Sequence, residues 1–334
     1  MLDALFQLSI FSAKAIIIVL LLLLLLTGIL VILGRGKEKL TGKIRLKNLN
    51  EKLTDTRNDI LQTILSKKKL KQHLKAEKEL QKSKKEAEAK NLTPTIFVIN
   101  FQGNIQASAG ASLCEEVTAI LSVAKATDEV VVRLESGGGM VHSYGLAAAQ
   151  LQRIKQKKIP LTICVDKIAA SGGYMMASVA DKILAAPFAI IGSIGVIVQL
   201  PNFHRLLKDK HIDFEQLTAG NYKRTLTMFG QNTAEGREKL REEIEEIHHL
   251  FKNLIQENRP QIDIEQVATG EHWLAKQAID FKLVDDLATS DDYLFERSRN
   301  ANIYEITFVA RKTLGEKLFA AANIFKSAFQ THSF

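Results

Sequence analysis

Residues 15 to 34 contain no charged side chain. Ala15 to Leu26 is an unbroken aliphatic run, and Thr27-Gly28 leads into a second apolar stretch ending at Gly34. Twenty helical residues rise about 30 Å, the thickness of a bilayer's hydrocarbon core. A cleaved signal peptide would have a shorter apolar core followed by a small-x-small site. Here the run passes directly into Arg35, Lys37 and Lys39. The spacing predicts a retained single-pass transmembrane helix within an N-terminal segment, residues 1–34, with the lipid bilayer as a partner. The rest of the chain must then form its own core on one side of that membrane.

Charge is placed unevenly around this anchor. The whole chain of 334 residues carries a formal +8, yet residues 35 to 90 alone hold 18 Lys/Arg against 8 Asp/Glu. The basic excess therefore belongs to the segment beside the membrane. Contact with anionic headgroups explains it, as does a solvated lysine-rich helix. No aromatic residue interleaves the basic run, which argues against nucleic acid as a partner. Leu46, Leu49, Leu53, Ile60, Ile64 and Leu74 recur at roughly helical spacing, so residues 35–93 read as a basic helical stalk. The positive-inside rule, counting Arg35 to Lys47 against Lys14, puts the downstream domain in the cytoplasm.

Beyond Thr93-Pro94 the pattern changes. Apolar strand candidates at Ile96 to Phe101, Val130 to Leu134, Leu161 to Val165 and Ile183 to Ala186 alternate with helical stretches at Val141 to Gln156 and Tyr174 to Val179. That alternation predicts an α/β domain, residues 94–290, around a buried and largely parallel sheet. Residues 183 to 203 also lack charge, but Pro187, Gly192, Ser193 and Gly195 break the run into short buried strands rather than a second span. Thr233 to Asn258 reads as a long charged helix, and residues 291–334 as a C-terminal tail with a strand-like Ile306 to Val309.

Two motifs carry chemistry. Ala170-Ser171-Gly172-Gly173-Tyr174 places a serine between a strand and a helix, where its hydroxyl lies beside free backbone N–H groups. A serine there also serves as a plain helix cap. Glu135-Ser136-Gly137-Gly138-Gly139 follows the second strand, and glycines let backbone approach a reacting carbonyl. The N–H groups of Gly138 and Gly172 are candidate donors to an oxyanion. Lys223 follows Ser171 by 52 residues with no acid nearby in Gly220 to Leu226, and a lysine withdrawn from carboxylates and water makes a general base. His142, three residues past Gly139, is an alternative base. No GxxxxGK[ST] pattern supports a phosphate loop. Cys114 and Cys164 have neither disulfide-framework nor metal-ligand spacing, and His248-His249 lacks metal-site spacing. No cofactor or metal is expected.

Together with Ile191-Gly192-Ser193-Ile194-Gly195-Val196 and Tyr222-Lys223-Arg224, these motifs resemble the bacterial signal peptide peptidases, in the branch with an N-terminal anchor and basic stalk. The resemblance covers roughly residues 95 to 290. It implies a ClpP/crotonase-like fold and a Ser–Lys dyad, with Ser171 as nucleophile, Lys223 as base and Ser193 orienting the lysine amine. Gly138 and Gly172 would line the oxyanion hole. Family members usually have proline where Gly137 stands. The resemblance further implies an inner-membrane serine endopeptidase acting on unfolded or membrane-derived peptides such as signal-peptide remnants, assembled as a ring-shaped homo-oligomer. It places the catalytic domain of many relatives on the face opposite to that given by the charge count, so the sequence leaves the side open. A crotonase-like acyl-CoA enzyme and a non-catalytic membrane scaffold are the competing readings.

Overall fold

The computed structural model describes residues 11, 14–23, 28, 42–76, 79 and 93–311. They fall into two units, one of residues 44–308 and one of residues 1–43 and 309–334. In the smaller unit, residues 14–23 are helical and exposed. Residues 24–27 and 29–34 of the expected span lie outside the described residues. Among the described residues no helix is long and apolar enough to cross a membrane.

The larger unit is built on a sheet with strands in the order β1 (Gly42–Asn48), β10 (Asn302–Ala310), β2 (Thr95–Gly103), β3 (Glu129–Ser136), β4 (Leu161–Val165), β6 (Lys182–Ala185) and β9 (Asp286–Leu287). From β10 through β9 neighbouring strands pair in parallel. Strands of such a sheet need apolar residues on both faces, since helices cover both. On β2 and β3, Phe97, Ile99, Phe101, Val130, Val132 and Leu134 enter the main core. Ile96, Val98 and Val131 enter a second cluster with Leu294 and Ile303. Helices α2 (Gly110–Leu121), α3 (Val141–Gln156) and α4 (Gly172–Ser178) supply the main core, while α1 (Leu49–Ile64) and α9 (Ser290–Arg297) face the second cluster.

The sheet forks at β3. Its first half, Val130 to Arg133, pairs with β4. Its last residue, Ser136, pairs instead with Ala169 of β5 (Ile168–Ala170). Strand β5 pairs in parallel with β7 (Ile190–Gly192), which takes β8 (His272–Leu274) antiparallel. This side branch sets the serine motif, at the end of β5, beside the glycine motif, at the end of β3. Sequence periodicity gives none of β5, β7 or β8, because runs of three residues are too short to show alternation.

The unit exceeds the expected 94–290 at both ends. Strand β10 lies beyond residue 290 yet pairs with β2 from Asn302↔Thr95 to Ile306↔Ile99. Residues 42–48 of the expected stalk are strand rather than helix. Asn50, at the start of α1, donates to the carbonyls of Ser298 and Ala301 and accepts from the Ile303 N–H. One amide side chain thus ties the head of the stalk to β10, which is why the stalk does not begin as a free helix. Residues 49–64 and 67–76 are helical as expected, and residues 77–78 and 80–92 lie outside the described residues. Helix α6 (Ala234–Asn258) starts where the sequence reading puts it, with Thr233 capping the Gly236 N–H at 3.0 Å.

Candidate active site

Ser171 sits between β5 and α4 with φ 52° and ψ −120°, a left-handed setting disfavoured for any residue with a side chain. Its side chain makes no capping bond to α4. The helix-cap reading is thereby removed, and the hydroxyl is left beside the N-terminus of a helix whose first N–H groups have no intrahelical acceptor. The turn is held by its backbone. The Ser171 N–H donates to the Gly192 carbonyl at 2.8 Å, and the Ser171 carbonyl accepts from Met175 at 2.9 Å.

Ser193 lies on the neighbouring strand end. The register Ala170↔Gly192 makes Ser171 and Ser193 the next residue on each strand. Ser193 is also left-handed, at φ 53°, and its N–H donates to the Glu271 carbonyl at 2.6 Å. Neither serine hydroxyl bonds to a described residue.

The glycine loop meets Ser171 from the β3 side. Gly138 has φ +87°, and a Cβ built there would lie 2.6 Å from the Gly172 nitrogen and 2.7 Å from Ser171 Cβ. The sequence-selected trio Gly138, Ser171 and Gly172 is therefore in mutual contact, and only glycine fits at 138. One detail differs from the sequence expectation. The Gly138 N–H donates to Ser136 Oγ at 3.0 Å and is engaged there. Met140 N–H is likewise taken by the Ile105 carbonyl at 2.8 Å. Between them, the N–H of Gly139 has no partner among the described residues.

Among the described residues no hydrogen bond joins Lys223 to Ser171 or Ser193. Lys223 is exposed, on a largely irregular segment, and lines a cavity of about 730 Å³ with Leu200, Phe214, Leu217 and Phe229. Ser171 does not line that cavity. His142 occupies the exposed first turn of α3, and no hydrogen bond joins it to Ser171.

Sequence reasoning missed Ser136 and Tyr144. Ser136 was in plain view within the glycine motif, but its hydroxyl acquires a role only through Tyr144, eight residues on. It also missed the buried clamp behind α4. Tyr174 donates to the Leu283 carbonyl at 3.0 Å, and Arg259, 1% exposed, forms a two-pronged pair with Asp285 at 2.6 and 3.1 Å.

A strained serine at a strand-to-helix turn, glycine backbone packed against it, and a parallel sheet behind define an α/β serine hydrolase. The chain matches the family descriptions "Peptidase family S49 N-terminal" over residues 3–151 and "Peptidase family S49" over residues 153–303. It is 46% identical over 300 residues to a probable protease SohB of Haemophilus influenzae, covering 87% of this chain and 85% of that one. It is 53% identical over 232 residues to a probable protease SohB of Buchnera aphidicola from Acyrthosiphon pisum, covering 70% and 69%. A solved membrane-bound stomatin-specific protease with a substrate peptide aligns at 15% identity and a TM-score of 0.44, over 69% of this chain and 98% of that one. The chain belongs to peptidase family S49 and is a serine-type peptidase. That membership sets aside the acyl-CoA and scaffold readings.

Proposed function

We propose that this peptidase is a membrane-anchored endopeptidase that cleaves unfolded or membrane-derived peptides through a Ser171–Lys223 dyad. The observation that carries the reading is the backbone strain at Ser171. A left-handed non-glycine residue costs about 1–3 kcal/mol. The fold maintains this strain while giving the side chain no structural bond, which suits a hydroxyl reserved for chemistry.

Neutral Lys223 takes the Ser171 proton as Oγ attacks the peptide carbonyl, and returns it to the leaving amine as the acyl-enzyme forms. Water, deprotonated by the same amine, then releases the acyl group. Ser193, one residue beyond the register partner of Ala170, orients the amine. The Gly172 N–H and the glycine loop, through Gly138 or the unpartnered Gly139 N–H, stabilise the oxyanion. Signal-peptide remnants are fitting substrates, being extended, apolar and left in the membrane beside the anchor. The anchor, residues 15–34, and the basic stalk place the enzyme at the bacterial inner membrane.

A second copy of the chain completes the site. The Lys223 segment exposes Ile197, Leu206, Ile212, Phe214 and Leu217, the last 97% exposed. Apolar exposure on this scale marks an interface. Packing against a neighbour in a ring withdraws the amine from water and brings it to a serine. The test uses the full-length protein in detergent on an unstructured peptide. Ser171→Ala and Lys223→Ala should each lose roughly a thousandfold or more in kcat. Mixing the two inactive variants should restore activity by pairing an intact serine with a neighbour's intact lysine. Undiminished cleavage by both variants removes the dyad, and mixtures that stay inactive confine it to one chain.

A further inference from the structure

Two buried hydroxyls beside the serine have no place in the chemistry so far. Ser136 is 2% exposed and Tyr144 fully buried. Tyr144 Oη donates to the Asn104 carbonyl at 2.8 Å. A phenol has one proton, so the 2.5 Å contact between the hydroxyls runs from Ser136 to Tyr144. Ser136 Oγ then has lone pairs left, and one accepts the Gly138 N–H at 3.0 Å. The chain is directional: Gly138 to Ser136, Ser136 to Tyr144, Tyr144 to Asn104. Bonds aligned in this way polarise one another, and losing one loosens the others.

The same tyrosine reaches the other half of the site. A Cβ on Gly172 would run into Cβ, Cγ and Cδ2 of Tyr144. The Tyr144 side chain therefore lies directly against the residue after the nucleophile, while its hydroxyl governs the glycine loop through Ser136. With the Gly138 N–H turned onto Ser136, the next free N–H in the loop is that of Gly139. Burial raises the Tyr144 phenol above its ordinary value, keeping it a donor at neutral pH.

We infer that Tyr144, acting through Ser136, is a positioning residue that fixes the two halves of the oxyanion hole relative to each other. It holds the Gly138 peptide so that Gly139, with Gly172, donates to the developing oxyanion. This rests on the reading of Ser171 as nucleophile.

The experiment measures kcat and KM on a peptide, and affinity for a peptide aldehyde that forms a tetrahedral adduct. It compares full-length wild type, Tyr144→Phe, Ser136→Ala, the double variant and Ser171→Ala, each per folded molecule from near-ultraviolet circular dichroism. Each single variant should lose roughly 10- to 100-fold in kcat, part of the cost of a whole oxyanion donor. Aldehyde affinity should fall in step, with KM changed by less than about twofold. The double variant should be no worse than the poorer single one, because both break one chain. A kcat within about twofold of wild type in either single variant, a loss confined to KM, or effects that multiply in the double variant overturns the positioning role. Turnover surviving in Ser171→Ala overturns the nucleophile reading instead, whereas a dead Ser171→Ala beside an unimpaired Tyr144→Phe sinks the positioning role alone.

Discussion

Glu116 is a buried carboxyl residue. It sits on α2, 6% exposed, and accepts the Phe308 N–H of β10 at 2.8 Å. Burial pushes its pKa from 4.5 up to about 7, and the backbone hydrogen bond offsets only part of that rise. The sign follows from proton counting. Between these values the folded protein keeps a proton that the unfolded chain has released. The group's contribution is therefore whole below pH 4.5 and is lost as pH rises to about 7. The full loss is roughly 3 kcal/mol above that range. Glutamine has the same shape, keeps an oxygen for the Phe308 N–H and carries no charge. Glu116→Gln should then stabilise the domain at pH 8 by roughly 3 kcal/mol, or about 6–12 °C in Tm. Near pH 4 it should do nothing measurable. Thermal unfolding of both proteins from pH 4 to 8, read as the difference, isolates this group from other titrations. A difference that does not grow with pH, or a variant less stable at pH 8, refutes the reasoning.

Other outcomes follow from particular contacts. Gly138→Ala places a methyl group 2.6 Å from the Gly172 nitrogen at φ +87°, and peptide turnover should drop at least tenfold. The accompanying backbone strain is about 1–2 kcal/mol, measurable by urea unfolding. Asp285→Ala strands the buried Arg259 charge and should cost roughly 3–5 kcal/mol, whereas Arg259→Met with Asp285→Leu should cost much less. Cys164 is fully buried with its thiol pushed up to about 12, mainly by burial, so a thiol reagent at pH 8 should modify Cys114 alone until urea is added.

Much of this architecture is legible before any coordinates. Helix α3 and strand β4 run over the spans that the apolar pattern marks, because α3 buries one face at helical intervals and β4 is a short run buried throughout. The Ser171 turn is readable because glycine pairs and small residues tolerate close packing of backbone. The fork of the sheet is not readable. It depends on β3 changing partners between Arg133 and Ser136, a switch made by strands of three residues. Strand β10 reads as a strand, yet its pairing with β2 spans some two hundred residues and leaves no local trace. The engagement of the Gly138 N–H by Ser136 depends on a tyrosine delivered by the following helix, so the glycine motif alone suggests a freer donor than the fold provides.

The strain at Ser171 needs a frame stiff enough to hold it. On one side, β5 is pinned between Ser136 of β3 and Gly192 of β7, and the latter's carbonyl holds the Ser171 N–H. On the other, Tyr174 of α4 is tied to the Leu283 carbonyl. That segment is locked in turn by Arg259 on Asp285, and by Asp285 on the Ile183 N–H at 2.7 Å. The Ser171 turn is thus gripped at both ends by groups distant in sequence: Gly192, Ser136 and Leu283. Relaxing φ at Ser171 would require breaking several of these bonds together. That is why the fold can keep an unfavourable backbone at Ser171 while leaving its hydroxyl unbonded.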